Sequence, residues 1–209
     1  MAEVITTAPK SKEAEVKLLI MSLGELTLHL GDDKASTAIE AIAKLVNRRK
    51  PGDKQMLPVS YADIAGKYTG IVALRLPEAE DIIDASFITN NVVGYVGAME
   101  PIKHGARLMS EVGSLKVDDS LRGHGVGTIL FERIIKAMQD EGITPYAFCN
   151  SDSLPIAKRL GGREIESADE VPPEALELCQ ECPLYGQGSK KHGCCDTVMV
   201  WNKTQNADG

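Results

Sequence analysis

The sequence predicts an α/β fold in which strands and helices alternate after an early hairpin. Three observations predict it. Short runs that read as strands recur between turn residues, at Gly70–Leu76, Val92–Met99, Arg107–Val117 and Thr144–Asn150. Thr128–Asp140 carries Phe131, Ile134, Ile135 and Met138 at helical spacing, the pattern of an amphipathic helix. Between the long strand and that helix lies Gly123-His124-Gly125-Val126-Gly127.

The elements follow in order. Residues 1–10 read as a flexible tail. From Lys12 to Leu30, Val16, Leu19, Ile20, Leu23, Leu26 and Leu30 fit helical spacing, and Gly31-Asp32-Asp33 interrupts it. A second helix from Lys34 to Arg49 places Ile39, Ile42, Leu45 and Val46 on one face. The basic triplet Arg48-Arg49-Lys50 suits its negative end, and Pro51-Gly52 stops it. These two helices predict a hairpin, so residues 1–60 are expected as a helical extension before a domain at 61–209. Gly70–Leu76 follows as a strand, and Pro77 opens a short acidic helix. Ser86–Thr89 and Val92–Met99 read as a β-hairpin turning at Asn90-Asn91. Residues 101–105 read as a loop, and Arg107–Val117 as a longer strand. After Thr128–Asp140 come the strand Thr144–Asn150, a helix Leu154–Leu160 closed by Gly161-Gly162, and a short strand Arg163–Glu166. Pro172-Pro173 opens a helix into a cysteine-rich insertion, 179–195, and Thr197–Trp201 is the last strand.

Composition bounds the function. Of 209 residues, 43% are hydrophobic and 25% charged, the balance of a globular chain with a sizeable core. The net charge of −7 disfavours a general nucleic-acid binder and suits a cationic partner. No run approaches the roughly 20 apolar residues of a membrane span. Lys10, Lys12, Glu13, Glu15 and Lys17 break up any signal peptide, so the expected compartment is the cytoplasm.

Glycines after a strand, leading into a helix, expose backbone N–H groups at the positive end of the helix dipole. Such a loop can hold a pyrophosphate, and Arg122 adds a cation beside it. It is neither a Rossmann loop, which needs G-x-G-x-x-G directly after a strand, nor a Walker loop, which needs Gly-Lys-Ser/Thr.

The run Leu115-Lys116-Val117-Asp118-Asp119-Ser120-Leu121-Arg122-Gly123-His124-Gly125-Val126-Gly127 resembles the acetyl-CoA signature of the GNAT superfamily of N-acetyltransferases, Gln/Arg-x-x-Gly-x-Gly/Ala after a strand ending in Val. A weaker second block, Asn150, Ser153 and Ile156–Gly162, is similar to the family's Asn-x-x-Ala…Leu-Tyr-x-x-x-Gly. The resemblance covers about residues 67–166 and the last strand. It implies a mixed, splayed sheet flanked by helices, with acetyl-CoA in the splay and an amine as acceptor. It implies that backbone from Gly123 through His124, Gly125, Val126 and Gly127 to Thr128 holds the pyrophosphate, with Arg122 beside it. It implies that Leu115, Lys116 and Val117 pair with the pantetheine arm, and that Asn150 contacts the cofactor.

Transfer needs a base for the amine proton and benefits from an acid for the leaving thiolate. Glu111 lies six residues before Val117, so a regular strand puts both on one face. It reads either as the base, a role the resemblance allows, or as a surface carboxylate. Ser110 and Ser114 face the other way unless a bulge intervenes. The family's usual acidic tyrosine aligns with Ala157, so a phenol must come from Tyr146 or Tyr185, or be missing. Its absence favours the alternative of a protein that binds acetyl-CoA without turnover. Cys149 reads as packing, His124 as solvent-facing, His29 as peripheral packing and His104 as a loop residue near the site.

Cys179-x-x-Cys182 and Cys194-Cys195 hold four of the five cysteines. In a reducing compartment they predict a structural zinc, with His192 able to replace one of the adjacent pair. A redox pair or plain thiols are the alternatives. A CxxC at the end of a helix lacks the dipole that lowers a redox thiol's pKa. The apolar helical hairpin would also suit a homodimer.

Overall fold

A computed structural model describes residues 2–7, 15–48, 58–76, 84–180 and 197–202. The chain divides into two compact units: Met1–Ala98 with Ser114–Ile134, and Met99–Gly113 with Ile135–Gly209.

The first unit opens with β1 (Glu3–Thr7) and β2 (Val16–Ser22), followed by α1 (Leu23–Leu30), α2 (Asp32–Asn47) and α3 (Tyr61–Ala65). Then come β3 (Thr69–Arg75), α4 (Ala85–Asn91) and β4 (Val92–Ala98). Strands β1 to β4 form an antiparallel sheet in chain order, with Leu19 opposite Leu74 and Val72 opposite Tyr95. The expected apolar face of α2, Ile39, Ile42, Leu45 and Val46, is buried against Leu26, Ile64, Leu74 and Tyr95. Each such fully buried aliphatic side chain contributes roughly 1.5–3 kcal/mol.

Here the structure corrects three readings. Residues 16–22 are strand rather than helix. Leu18, Leu19, Ile20 and Met21 are all buried, so both faces are covered and the strand reads as a continuous apolar run that mimics helical spacing. The helix begins only after its N-cap Ser22, whose side chain accepts from Glu25 N at 3.1 Å while the Glu25 carboxylate accepts from Ser22 N at 2.9 Å. Since β2 pairs with β3, residues 3–47 do not form a separate helical extension ending at 60. Likewise Ser86–Thr89 is helical. Asp84 caps α4 by accepting from Phe87 N at 2.7 Å, and Asn90 and Asn91 bond back to the Ser86 and Phe87 carbonyls instead of forming a hairpin turn. The acidic helix expected after Pro77 lies outside the described residues.

Along the chain next come β5 (Ile102–His104) and β6 (Arg107–Val117). Residues 101–105, expected as loop, thus include a strand that pairs antiparallel with β6, His104 opposite Arg107. A short 3-10 turn, η1 (Asp119–Leu121), leads to α5 (Val126–Asp140). Strand β6 belongs to the second unit through Gly113 and to the first from Ser114; α5 belongs to the first unit through Ile134. A Cβ at Gly94 would lie 2.8 Å from Leu130 Cδ1, so a larger residue there would make the Leu130 side chain of α5 shift.

The second unit continues with β7 (Ile143–Cys149), α6 (Leu154–Arg159), β8 (Arg163–Glu164), the turn η2 (Ala168–Glu170), α7 (Pro173–Gln180) and β9 (Thr197–Val200). Strand β7 runs parallel to β6 over Leu108–Glu111 and antiparallel to β9, which carries β8 on its other edge. Its core holds Met109, Tyr146, Ile165, Val171, Ala175, Val198 and Val200. Among the described residues no helix is long and apolar enough to cross a membrane.

Candidate functional site

The loop between β6 and α5 is built by turns, each fixing the next. Ser114, within β6, has φ 57°, the left-handed region that a non-glycine residue rarely adopts. Strict alternation therefore fails between Glu111 and Val117, which removes the expectation that both share a face. Ser110 is buried, and its hydroxyl donates to the Met99 carbonyl at 2.5 Å. Past Leu115, Lys116 and Val117, the Asp118 N–H donates to the Val93 carbonyl of β4 at 2.8 Å. The Asp118 carboxylate caps η1 by accepting from Ser120 N at 3.0 Å. The carbonyls of Asp118, Asp119 and Leu121 accept in turn from Leu121, Arg122 and His124 N–H. Leu121 and His124 are buried, whereas Gly123 and Gly125 are exposed. His124 was expected to face solvent; instead its Nδ1 lies 3.3 Å from the Arg122 carbonyl oxygen, because the turn folds its ring inward.

Gly123 and Gly125 have φ 85° and 79°. A Cβ at either would meet nothing within 4 Å, so backbone conformation rather than space calls for glycine. Ile129 N–H donates to the Gly125 carbonyl at 3.1 Å, making Gly125 the residue that caps α5. The N–H groups of Gly125, Val126, Gly127 and Thr128 precede that bond, where an α-helix supplies no intrahelical acceptor. Four amides at the positive end of a 15-residue helix, in a turn containing left-handed Gly123 and Gly125, make this loop a candidate anion cradle. The Arg122 side chain is exposed and paired with Asp119 at 3.0 Å.

A family model for the acetyltransferase (GNAT) family matches residues 40–161, more than half of the chain. The chain belongs to the GNAT acetyltransferase family. It is therefore an acetyltransferase, and the glycine loop lies inside the matched region. Solved structures share the fold. Rv2747 from Mycobacterium tuberculosis, in complex with CoA and NLQ, is similar with TM-score 0.53 and 18% identity, over 80% of this chain and 95% of that one. N-acetylglutamate synthase from Neisseria gonorrhoeae, complexed with coenzyme A and L-arginine, gives 0.52 and 16% over 80% of this chain. The match spans 31% of the synthase's length. An acyl-CoA N-acyltransferase from Pseudomonas aeruginosa gives 0.50 and 14%, over 90% of this chain and 99% of that one. No curated protein matches the sequence.

The second unit of this GNAT chain holds the other expected residues. Glu111 is half-buried, and its carbonyl accepts from Met99 N–H at 2.9 Å. It is the register partner of Tyr146 in the parallel β6–β7 pair, so the two side chains share a sheet face. Met109, two residues earlier on that face, is buried with Tyr146 against Val171 and Ala175. The η2–α7 segment thus covers the face that carries Glu111. Burial, then the Glu111 and Glu174 carboxylates, pushes the Tyr146 phenol well above the usual range. It stays a neutral hydrogen-bond donor. Its ring meets Phe148 edge-on, centroids 6.3 Å apart.

The Asn150 side-chain oxygen accepts from Asp152 N at 2.9 Å and Ser153 N at 3.1 Å, shaping the turn into α6. Ala157 is fully buried, and Cys149 is buried as expected. His104 sits on β5 with Nε2 2.7 Å from the Asp169 carbonyl oxygen. Cys179 falls in the last turn of α7; Cys182, Tyr185, His192, Cys194 and Cys195 lie outside the described residues. Among the described residues no group of three or more His, Cys, Asp or Glu is placed to hold a metal ion.

Two features of the site escaped sequence reasoning. The Glu111–Tyr146 pairing depends on register between strands more than 30 residues apart. The Asp118 turn had a local signal, an Asp two residues before Ser at a strand end, which favours a side-chain cap. Its arginine partners had none.

Proposed function

We propose that the protein transfers the acetyl group of acetyl-CoA to a primary amine, of a small molecule or a protein. The single observation that carries this reading is the amide cradle at Gly123–Thr128 inside a GNAT-family match. Acetyl-CoA supplies the thioester; the chain's own groups do the rest. The amides of Gly125, Val126, Gly127 and Thr128 would hold the pyrophosphate, and the backbone of Leu115, Lys116 and Val117 the pantetheine arm. Asn150 has a side-chain NH2 to offer beyond the oxygen used in its own turn.

Glu111 takes the proton of the attacking amine, and the amine nitrogen bonds to the thioester carbon. The C–S bond breaks, and the thiolate gains a proton from solvent. Tyr146, kept protonated by its surroundings, is suited to donate a hydrogen bond rather than to release a proton. The pair of carboxylates Glu111 and Glu174, with the net charge of −7, favours a cationic acceptor.

A second reading, acetyl-CoA binding without efficient turnover, draws on buried Ala157 at the position where the family pattern has tyrosine. Calorimetric titration with acetyl-CoA, followed by thiol release with a panel of amines, separates the two. Binding with release supports transfer, and binding alone supports the second reading; no binding removes both. The zinc reading of Cys179, Cys182, Cys194 and Cys195 rests on their spacing. Less than one equivalent of metal in protein purified without chelator would end it.

A further inference from the structure

We infer that Arg75, acting through Ser120 and Asp118, is a positioning residue for the glycine loop, supported by Arg48; the inference rests on reading that loop as the acetyl-CoA site. Arg75 ends β3, and its Nη2 donates to Ser120 Oγ at 2.8 Å. That hydroxyl donates onward to Asp118 Oδ1 at 2.7 Å, and Ser120 N donates to the same oxygen at 3.0 Å. The other carboxylate oxygen, Oδ2, accepts from Arg48 Nη1 at 2.7 Å, just beyond α2. Asp118 Oδ2 is thus gripped directly from outside the loop by Arg48, and Oδ1 is gripped at one remove, through Ser120, by Arg75. The Ser120 hydrogen bond, with Ser120 N–H and the two guanidinium groups adding, holds its carboxyl below the usual range, so it stays an acceptor.

The anchor reaches the loop through short steps. Asp118 O accepts from Leu121 N–H at 2.9 Å, Leu121 is buried, and Leu121 O accepts from His124 N–H at 3.3 Å. Between the last two residues sits left-handed Gly123. A segment with two such glycines has little stiffness of its own, so its shape depends on what grips its ends. One end is α5; the other is this polar hub. Among the described residues the buried Nε of Arg75 has no hydrogen-bond partner. An arginine that merely covered apolar surface would leave that nitrogen in water. Its orientation is set by the Ser120 contact.

A positioning role predicts weaker cofactor binding with unchanged chemistry. Arg75→Ala should raise the acetyl-CoA Kd by titration, and KM, about fivefold, with kcat at saturating acetyl-CoA retained. Ser120→Ala should do the same. The double variant should bind no more weakly than either single one, because both break one chain of contacts. Arg75→Lys should recover part of the loss. Wild-type affinity in folded Arg75→Ala would overturn the inference, as would a fall in kcat with Kd unchanged. Should Arg75→Ala lose its cooperative melt, Ser120→Ala carries the test, since it removes one exposed hydroxyl. Absence of acetyl-CoA binding in the wild type would instead overturn the reading of the loop itself.

Discussion

The glycine loop and the Glu111 strand face are built on different principles. From Asp118 to Thr128 the loop is shaped by contacts between residues a few positions apart: a capped 3-10 turn, two left-handed glycines and a helix N-terminus. Its anchors, Arg48, Arg75 and the Val93 carbonyl, come from far away in sequence. The Glu111 face is assembled the other way. Glu111, Tyr146 and Val200 meet across three strands, and Val171 and Ala175 arrive from the η2–α7 segment. A locally coded site announces itself as a motif, whereas a register-coded site appears only when the strands pair. Binding should therefore fail through backbone changes in the loop, and chemistry through side-chain changes on the face.

The largest effect that would test this division is expected at Glu111. Glu111→Gln should lower kcat about 100-fold, the usual scale for losing a general base, while the calorimetric Kd for acetyl-CoA stays put. Unchanged turnover would make Glu111 a surface carboxylate and leave the face structural. Next is Gly125→Val, which forces a β-branched residue to φ 79°. Strain of this kind should weaken acetyl-CoA binding roughly tenfold or more without altering kcat at saturation. Equal binding would show that the loop does not shape the cradle. Tyr146→Phe keeps the packing against Phe148 and removes one hydroxyl. A several-fold drop in kcat with normal thermal stability would place the phenol in the chemistry, and an unchanged rate would leave it in the core.

The smallest effect concerns the η2–α7 segment that covers the face. The Arg163 hydrogen bond holds the Glu170 carboxyl at about 2, against an ordinary 4.5. A depressed carboxyl stabilises the fold above its unfolded pKa, and that stability is lost as pH falls from about 4.5 towards 2. Arg163 is 43% exposed, so solvent screening limits the contribution to about 1 kcal/mol or less. Glu170→Gln should melt slightly lower at neutral pH and lose less on acidification. Parallel melting curves from pH 6 to 3 would show that this pair does not tie η2 to β8.

Legibility followed the range of the interactions involved. The strand Arg107–Val117, the helix after the glycines and the buried face of α2 were readable because periodicity and glycine punctuation are local signals. Leu18–Met21 misled because a strand covered on both faces has lost the alternation that marks strands. Ser22-x-x-Glu25 carried the corrective signal, a capping box in mid-pattern. Ser86–Thr89 misled because Asn90-Asn91 resembles a hairpin turn, while Asp84 three residues before Phe87 was already a helix cap. His124 was misplaced because its burial follows from the turn closed by the Leu121 carbonyl, with Leu121 itself packed into the core.

By itself the sequence determined the α/β class and the glycine-rich turn leading into α5, because each rests on residues close together in the chain. Only the tertiary structure decided that residues 16–22 form a strand beside β3, that Tyr146 is the register partner of Glu111, and that Arg48 and Arg75 grip the turn before the loop. Those facts depend on which strands pair and at what offset. A one-residue slip would turn every side chain of a strand to the other face, and burial summed over the whole sheet is what fixes the register.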